Sequence, residues 1–185
     1  MGSVPAPVVI SPFANERVRQ WPASHFRELV DIIWREHGLP SVIVGTRAQR
    51  ALANDIVRGR SSERVANACG TMSWVELIAA VDAAPYVVAN NSGVAHLAAS
   101  RGNWTLCIFG ASHAYNEWMP RGPRVVTVSM ALPCSPCSLG TDRCPNGVGC
   151  MVDLAPADAF WRFDQARAAV LSASVQSGPT PREAA

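Results

Sequence analysis

Tyr86-Val87-Val88-Ala89-Asn90-Asn91-Ser92-Gly93-Val94-Ala95-His96 decides the fold. Its first four residues form a continuous apolar run, the pattern of a parallel strand buried on both faces. Asn90 to Gly93 make a tight polar turn, and the residues from Val94 to Ser100 have helical spacing. A strand that passes through such a turn into a helix leaves free backbone N–H groups at the helix N-terminus. They face the crevice beyond the strand ends, where open α/β sheets bind ligands. The turn suits an anion, above all a phosphate. Ser92 offers a hydroxyl, and His96 in the first helical turn adds a second side-chain donor.

The same alternation extends in both directions. Val8-Val9-Ile10 reads as a short buried strand. Phe26, Leu29, Val30, Ile33 and Trp34 recur at helical spacing over about Ser24 to Glu36, and Gly38 and Pro40 end that helix. Ser41 to Gly45 is a second strand, and a helix from about Ala48 to Val57 should turn Leu52 and Ile56 to one face. Arg64 to Asn67 is a weaker strand. Ser73-Trp74-Val75-Glu76 has the spacing of a capping box opening a helix to about Ala84. Thr105 to Gly110 and Val125 to Val128 complete the strands, and Pro156 to about Leu171 is a closing helix. Strands alternating with helices predict a Rossmann-like parallel sheet with helices on both faces. One domain is expected over 4–171, with a Cys-rich loop at 133–150 inside it and a disordered tail at 172–185.

The 185 residues are 49% hydrophobic and 16% charged, which is ordinary for a globular domain. A net charge of +2 gives no electrostatic footprint for nucleic acid. Every basic residue is arginine, so a phosphate must be met by Arg, His or backbone. No apolar run reaches the length of a membrane helix, and the start lacks a signal-peptide layout. The expected location is cytoplasmic, at most working against the inner face of a membrane the protein does not enter.

Arg19-Gln20-Trp21-Pro22, Gly70-Thr71-Met72-Ser73, Asn91-Ser92-Gly93-Val94-Ala95-His96-Leu97-Ala98-Ala99, and Phe109-Gly110 with Trp118 and Pro120 occur in this order. Together they resemble the ADP-heptose:lipopolysaccharide heptosyltransferases of glycosyltransferase family 9. The resemblance spans roughly Val8 to Cys150 and only the C-terminal, donor-binding half of such two-Rossmann-domain (GT-B) enzymes. It implies an ADP-heptose-like nucleotide-sugar donor, a lipopolysaccharide or other surface-glycan acceptor, and no cofactor for transfer. A missing N-terminal domain would carry the acceptor and the catalytic base. No catalytic residue is therefore assigned within this chain, which should be inactive alone.

The resemblance implies donor contacts at Arg19, Met72, Asn91, Ser92, Gly93 and His96. Arg19 lies where the family carries a phosphate-contacting lysine, and Met72 where a side chain packs on the nucleobase. Trp21 and Pro22 are expected to fix the loop and start the helix. Two positions depart from the pattern. Asn91 stands where the family usually has Asp, and no acidic residue near Arg47-Ala48-Gln49 matches the one facing the ribose.

Cys134, Cys137, Cys144 and Cys150 place four thiols in one loop. Zinc or iron bound by four thiolates, disulfides, and free packing thiols are all open readings. Cys69 and Cys107 read as core residues. Two rival functions stand beside glycosyl transfer. A non-catalytic nucleotide-binding or assembly module fits the Asn91 departure. A nicotinamide-binding domain does not fit, since Ser11-Pro12-Phe13-Ala14-Asn15 after the first strand lacks a GxGxxG.

Overall fold

The computed structural model describes residues 5–111, 115–137 and 144–176. Six strands form the sheet: β1 Val8–Ser11, β2 Ser41–Ile43, β3 Val65–Asn67, β4 Val87–Asn90, β5 Thr105–Ile108 and β6 Val125–Val128. Their order is β3-β2-β1-β4-β5-β6, and every neighbouring pair is parallel. This is the doubly wound order, with its switch point between β1 and β4. The expected Rossmann-like parallel sheet is present.

Strand alternation sorts the core onto two faces. Val8 and Ile10 of β1 pack with α1 (Ala23–His37), α2 (Arg50–Val57) and α7 (Pro156–Gln176). Val9 faces the opposite way, towards α3 (Trp74–Ala83) and α4 (Gly93–Ser100). The strands are apolar on both sides because both sides are covered. Two short helices, α5 (Tyr115–Trp118) and α6 (Gly149–Val152), follow β5 and β6 respectively.

The capping box at Ser73 is formed. Ser73 Oγ accepts from the Glu76 N–H at 3.3 Å, and the Glu76 carboxylate accepts from the Ser73 N–H at 2.7 Å. A second box, between Thr46 and Gln49, opens a 3-10 turn at Arg47–Gln49 that leads into α2. The strand before it, β2, ends at Ile43 rather than at Gly45, so Val44 and Gly45 lie outside it. Leu52 corrects another expectation. It is 56% exposed, while Ala53 and Ile56 carry the packing of α2.

The closing helix continues to Gln176, past the expected boundary at Leu171. The expected tail at 172–185 is therefore helical as far as Gln176, and 177–185 lie outside the described residues. Of the 133–150 loop, 138–143 also lie outside them. Cys69 and Cys107 are fully buried core thiols, and burial pushes them up to about 11 and about 12 respectively.

Candidate functional site

A cleft of about 630 Å³ opens at the C-terminal ends of β1, β2 and β4, across the switch point. Arg19, Met72, Asn91, Ser92, Gly93 and His96 all line it. Three stretches far apart in the sequence are thus gathered around one space: the Arg17–Arg19 turn, the residues before α3, and the β4–α4 turn with the start of α4.

The turn after β4 supplies the most telling part. Ser92 is the N-cap of α4, yet its side chain makes no capping bond. Its Oγ is buried and has no hydrogen-bond partner among the described residues. A buried hydroxyl left unpaired costs about 1–3 kcal/mol, which a ligand acceptor would recover. Gly93 and Val94, at the first two helical positions, have no carbonyl a turn earlier to bond. Gly93 has ordinary φ, so the turn does not need glycine for backbone freedom. Instead, a Cβ there would point into open space, and its absence keeps the approach to the helix N-terminus clear. The positive end of α4 faces that space, favouring an anion by about 0.3–1 kcal/mol.

His96 is exposed to the cleft and bonds no described side chain or carbonyl through its ring. Arg19, which lines the same cleft, sits at the end of a 3-10 turn, Arg17–Arg19, and pairs with Glu16 Oε1 at 3.3 Å. The loop is held by Trp21, which is 2% exposed and stacks edge-on with His25 and Phe26. Its indole N–H donates to the Leu154 carbonyl at 2.9 Å. Trp21 and Pro22 act as expected, the first as anchor and the second as N-cap of α1. Asn91 is nearly buried at the cleft wall, and its N–H donates to the Ile108 carbonyl at 3.1 Å.

Arg19 and His96 are the ionisable side chains among the lining residues, and no carboxylate joins them. The ionisable lining is therefore basic, which suits a diphosphate rather than a cation. Met72 packs partly against the core cluster that includes Val42 of β2. Sequence reasoning passed over Phe13, Thr46, Gln49 and Trp74, which also line the cleft. Only the Thr-x-x-Gln spacing of Thr46 and Gln49 gave a signal for these.

The four loop cysteines all border one small cavity, of about 30 Å³, beside Val18 and Ala111. None of the four is in a disulfide. Val148 N–H donates to Cys144 Sγ at 3.2 Å, and the Asn146 amide to Cys134 Sγ at 3.4 Å. Burial pushes the Cys150 thiol up. Among the described residues, no set of three or more Cys, His, Asp or Glu is arranged to hold a metal ion. The donors fit a soft cation by chemistry but do not converge on one as they stand.

Strand order, switch-point cleft and helix placement together define a doubly wound, Rossmann-like α/β domain. The sequence profile of glycosyltransferase family 9 (heptosyltransferase) matches residues 4–146, and the chain belongs to that family. Comparison with curated proteins returned no match. Among solved structures, E. coli ADP-heptose lipopolysaccharide heptosyltransferase II is similar at 17% identity and TM-score 0.74, over 92% of this chain and 49% of that one. E. coli heptosyltransferase WaaC with ADP is similar at 15% identity and TM-score 0.68, over 88% and 45%. The iron-containing dodecameric glycosyltransferase TibC from enterotoxigenic E. coli gives 15% and 0.68, over 92% and 47%. At these identities the likeness is one of fold. The chain spans about half the length of these structures. No helix among the described residues is long and apolar enough to cross a membrane.

Proposed function

We propose that the cleft binds the diphosphate of a nucleotide-sugar donor, and that this chain is the donor half of a glycosyltransferase. The observation carrying this reading is the orphaned Ser92 hydroxyl beside the open N-terminus of α4, with Arg19 and His96 facing the same space. The amides of Gly93 and Val94 and the Ser92 hydroxyl hold the diphosphate, and Arg19 pairs with it. The solved WaaC complex with ADP and the TibC complex with ADP-D-β-D-heptose favour an ADP-heptose-like donor. The acceptor is a lipopolysaccharide or another surface glycan.

In the transfer step an acceptor oxygen attacks the anomeric carbon while the bond from that carbon to the diphosphate oxygen breaks. The acceptor proton passes to a base on a second domain, and negative charge grows on the departing diphosphate. The α4 N-terminus, Arg19 and His96 are placed to stabilise that charge. Asn91 supports a second reading. A neutral amide stands where the family carries a carboxylate, which fits a module that binds nucleotide without catalysing transfer.

Calorimetric titration with ADP, UDP, GDP and NAD tests the binding claim. ADP should bind, and Arg19→Ala should weaken it about tenfold, or ~1.4 kcal/mol. No binding of any nucleoside diphosphate would end the reading. ADP release from an ADP-sugar, with the acceptor half supplied separately, separates enzyme from module.

The thiol loop forms a second, structural part of the proposal. Cys134, Cys137, Cys144 and Cys150 hold zinc or iron once they draw together around their shared cavity, stapling the loop. Metal analysis of the reduced, purified protein checks this, and absence of stoichiometric zinc or iron would remove the metal.

A further inference from the structure

Trp74 has no part in the contacts above, and with Trp118 it is one of two exposed indoles that line the cleft. It stands at the first position of α3, is 71% exposed and lines the cleft. It has no aromatic, cation–π or side-chain hydrogen-bond partner among the described residues. Its backbone is nevertheless fixed, because the Ser73–Glu76 capping box locks the turn from which it projects. A large unpartnered π surface on a rigid anchor at the rim of a cleft is built to meet a planar ligand.

The rest of that end of the cleft agrees. Val44, Ala68, Met72 and Leu77 give it apolar walls. The polar side chains there, Thr46 and Gln49, are already engaged. Thr46 accepts from the Gln49 N–H, and Gln49 Oε1 accepts from the Thr46 N–H at 2.9 Å. The Gln49 carboxamide oxygen is thus spent within the protein, while the apolar walls would cover the faces of a heterocycle.

We propose that Trp74 stacks on the nucleobase of the bound nucleotide, so that the cleft selects purines by ring area and not by edge hydrogen bonds. The inference rests on the nucleoside-diphosphate reading and extends it to the base. A two-ring base overlaps an indole more fully than a one-ring base, and stacking is sequence-tolerant because every base has a π face.

Calorimetric titration of ADP, GDP and UDP into the wild type, Trp74→Ala and Trp74→Phe provides the test. In the wild type, ADP and GDP should agree within about threefold, with UDP about tenfold weaker. W74A should lose about tenfold for both purines and little for UDP, while W74F keeps most of the affinity. Because the indole lies outside the core, W74A should melt with the wild type. Wild-type ADP affinity in W74A would overturn the inference and assign the indole to another contact, such as the second domain. GDP binding more than about tenfold below ADP would also overturn it, by revealing an edge reader. Failure of every nucleoside diphosphate to bind the wild type would bring down the parent reading as well, and that result is independent of Trp74.

Discussion

The backbone N–H of Trp21 donates to Asn90 Oδ1 at 3.1 Å, and the same Asn90 side chain donates to the Pro12 carbonyl at 2.7 Å. One fully buried amide thus ties both ends of the loop bearing Arg19 to the last residue of β4, directly before the Ser92–Gly93 turn. The two halves of the anion site are registered through it. Asn90→Ala strands a donor and an acceptor in the core, at about 1–3 kcal/mol each. Urea unfolding of N90A should show a loss of about 2 kcal/mol or more, with weaker ADP binding. Asn90→Asp keeps the acceptor, loses the donor and buries a charge, so it should do no better. Wild-type stability in N90A would dismiss the tie.

Gly93 separates folding from binding. Its φ is ordinary, and a Cβ meets nothing within 4 Å. Gly93→Val should therefore fold with stability within about 0.5–1 kcal/mol of the wild type. The isopropyl group would occupy the space in front of the α4 N-terminus and lower ADP affinity at least about tenfold. Thermal melts and calorimetry on one sample check both halves. Retained affinity would place the anion elsewhere.

Glu16 competes for Arg19. Their contact is single, at 3.3 Å, and both side chains are solvent-accessible. Such a pair is worth about 0.2–1 kcal/mol. Glu16→Gln should release the guanidinium and tighten ADP by up to about fivefold at low salt, an advantage that fades as salt rises. Weaker binding in E16Q would mean that Glu16 positions Arg19 and does not compete for it.

The strands were legible because a sheet covered on both faces demands apolar runs, and Val8-Val9-Ile10 and Tyr86 to Ala89 supply them. Their lateral order was not, since no local pattern states that β4 pairs with β1. The anion turn could be read because strand, Ser-Gly and helix follow without a break. Its most useful detail could not. Serine at an N-cap ordinarily spends its hydroxyl on the helix, whereas in the structure Ser92 makes no capping bond. Trp74 stands exposed at the rim of the cleft, although it precedes Leu77, Ile78 and Val81 at the spacing of an apolar stripe. Leu52 and Ala53 show the limit for short helices, where the smaller neighbour carries the packing.

The core thiols set an alkaline limit on stability. Burial pushes Cys69 up to about 11 and Cys107 up to about 12, from ordinary values near 9.0. The folded state therefore holds these protons more tightly than the unfolded chain. The resulting stability is fully present below about pH 8.5–9, and it is lost as pH rises towards the folded-state values. Urea unfolding between pH 8 and pH 11 should show falling stability, less steeply in Cys107→Ala. Tyr86 contributes in the same direction, because burial raises its phenol as well. Alkylation at pH 8 with mass-spectrometric readout gives an independent check. Exposed Cys134 should be labelled in the native protein, whereas Cys69 and Cys107 should react only at the rate of unfolding. Rapid native labelling of Cys107 would show that β5 opens locally and would remove the basis for the alkaline limb.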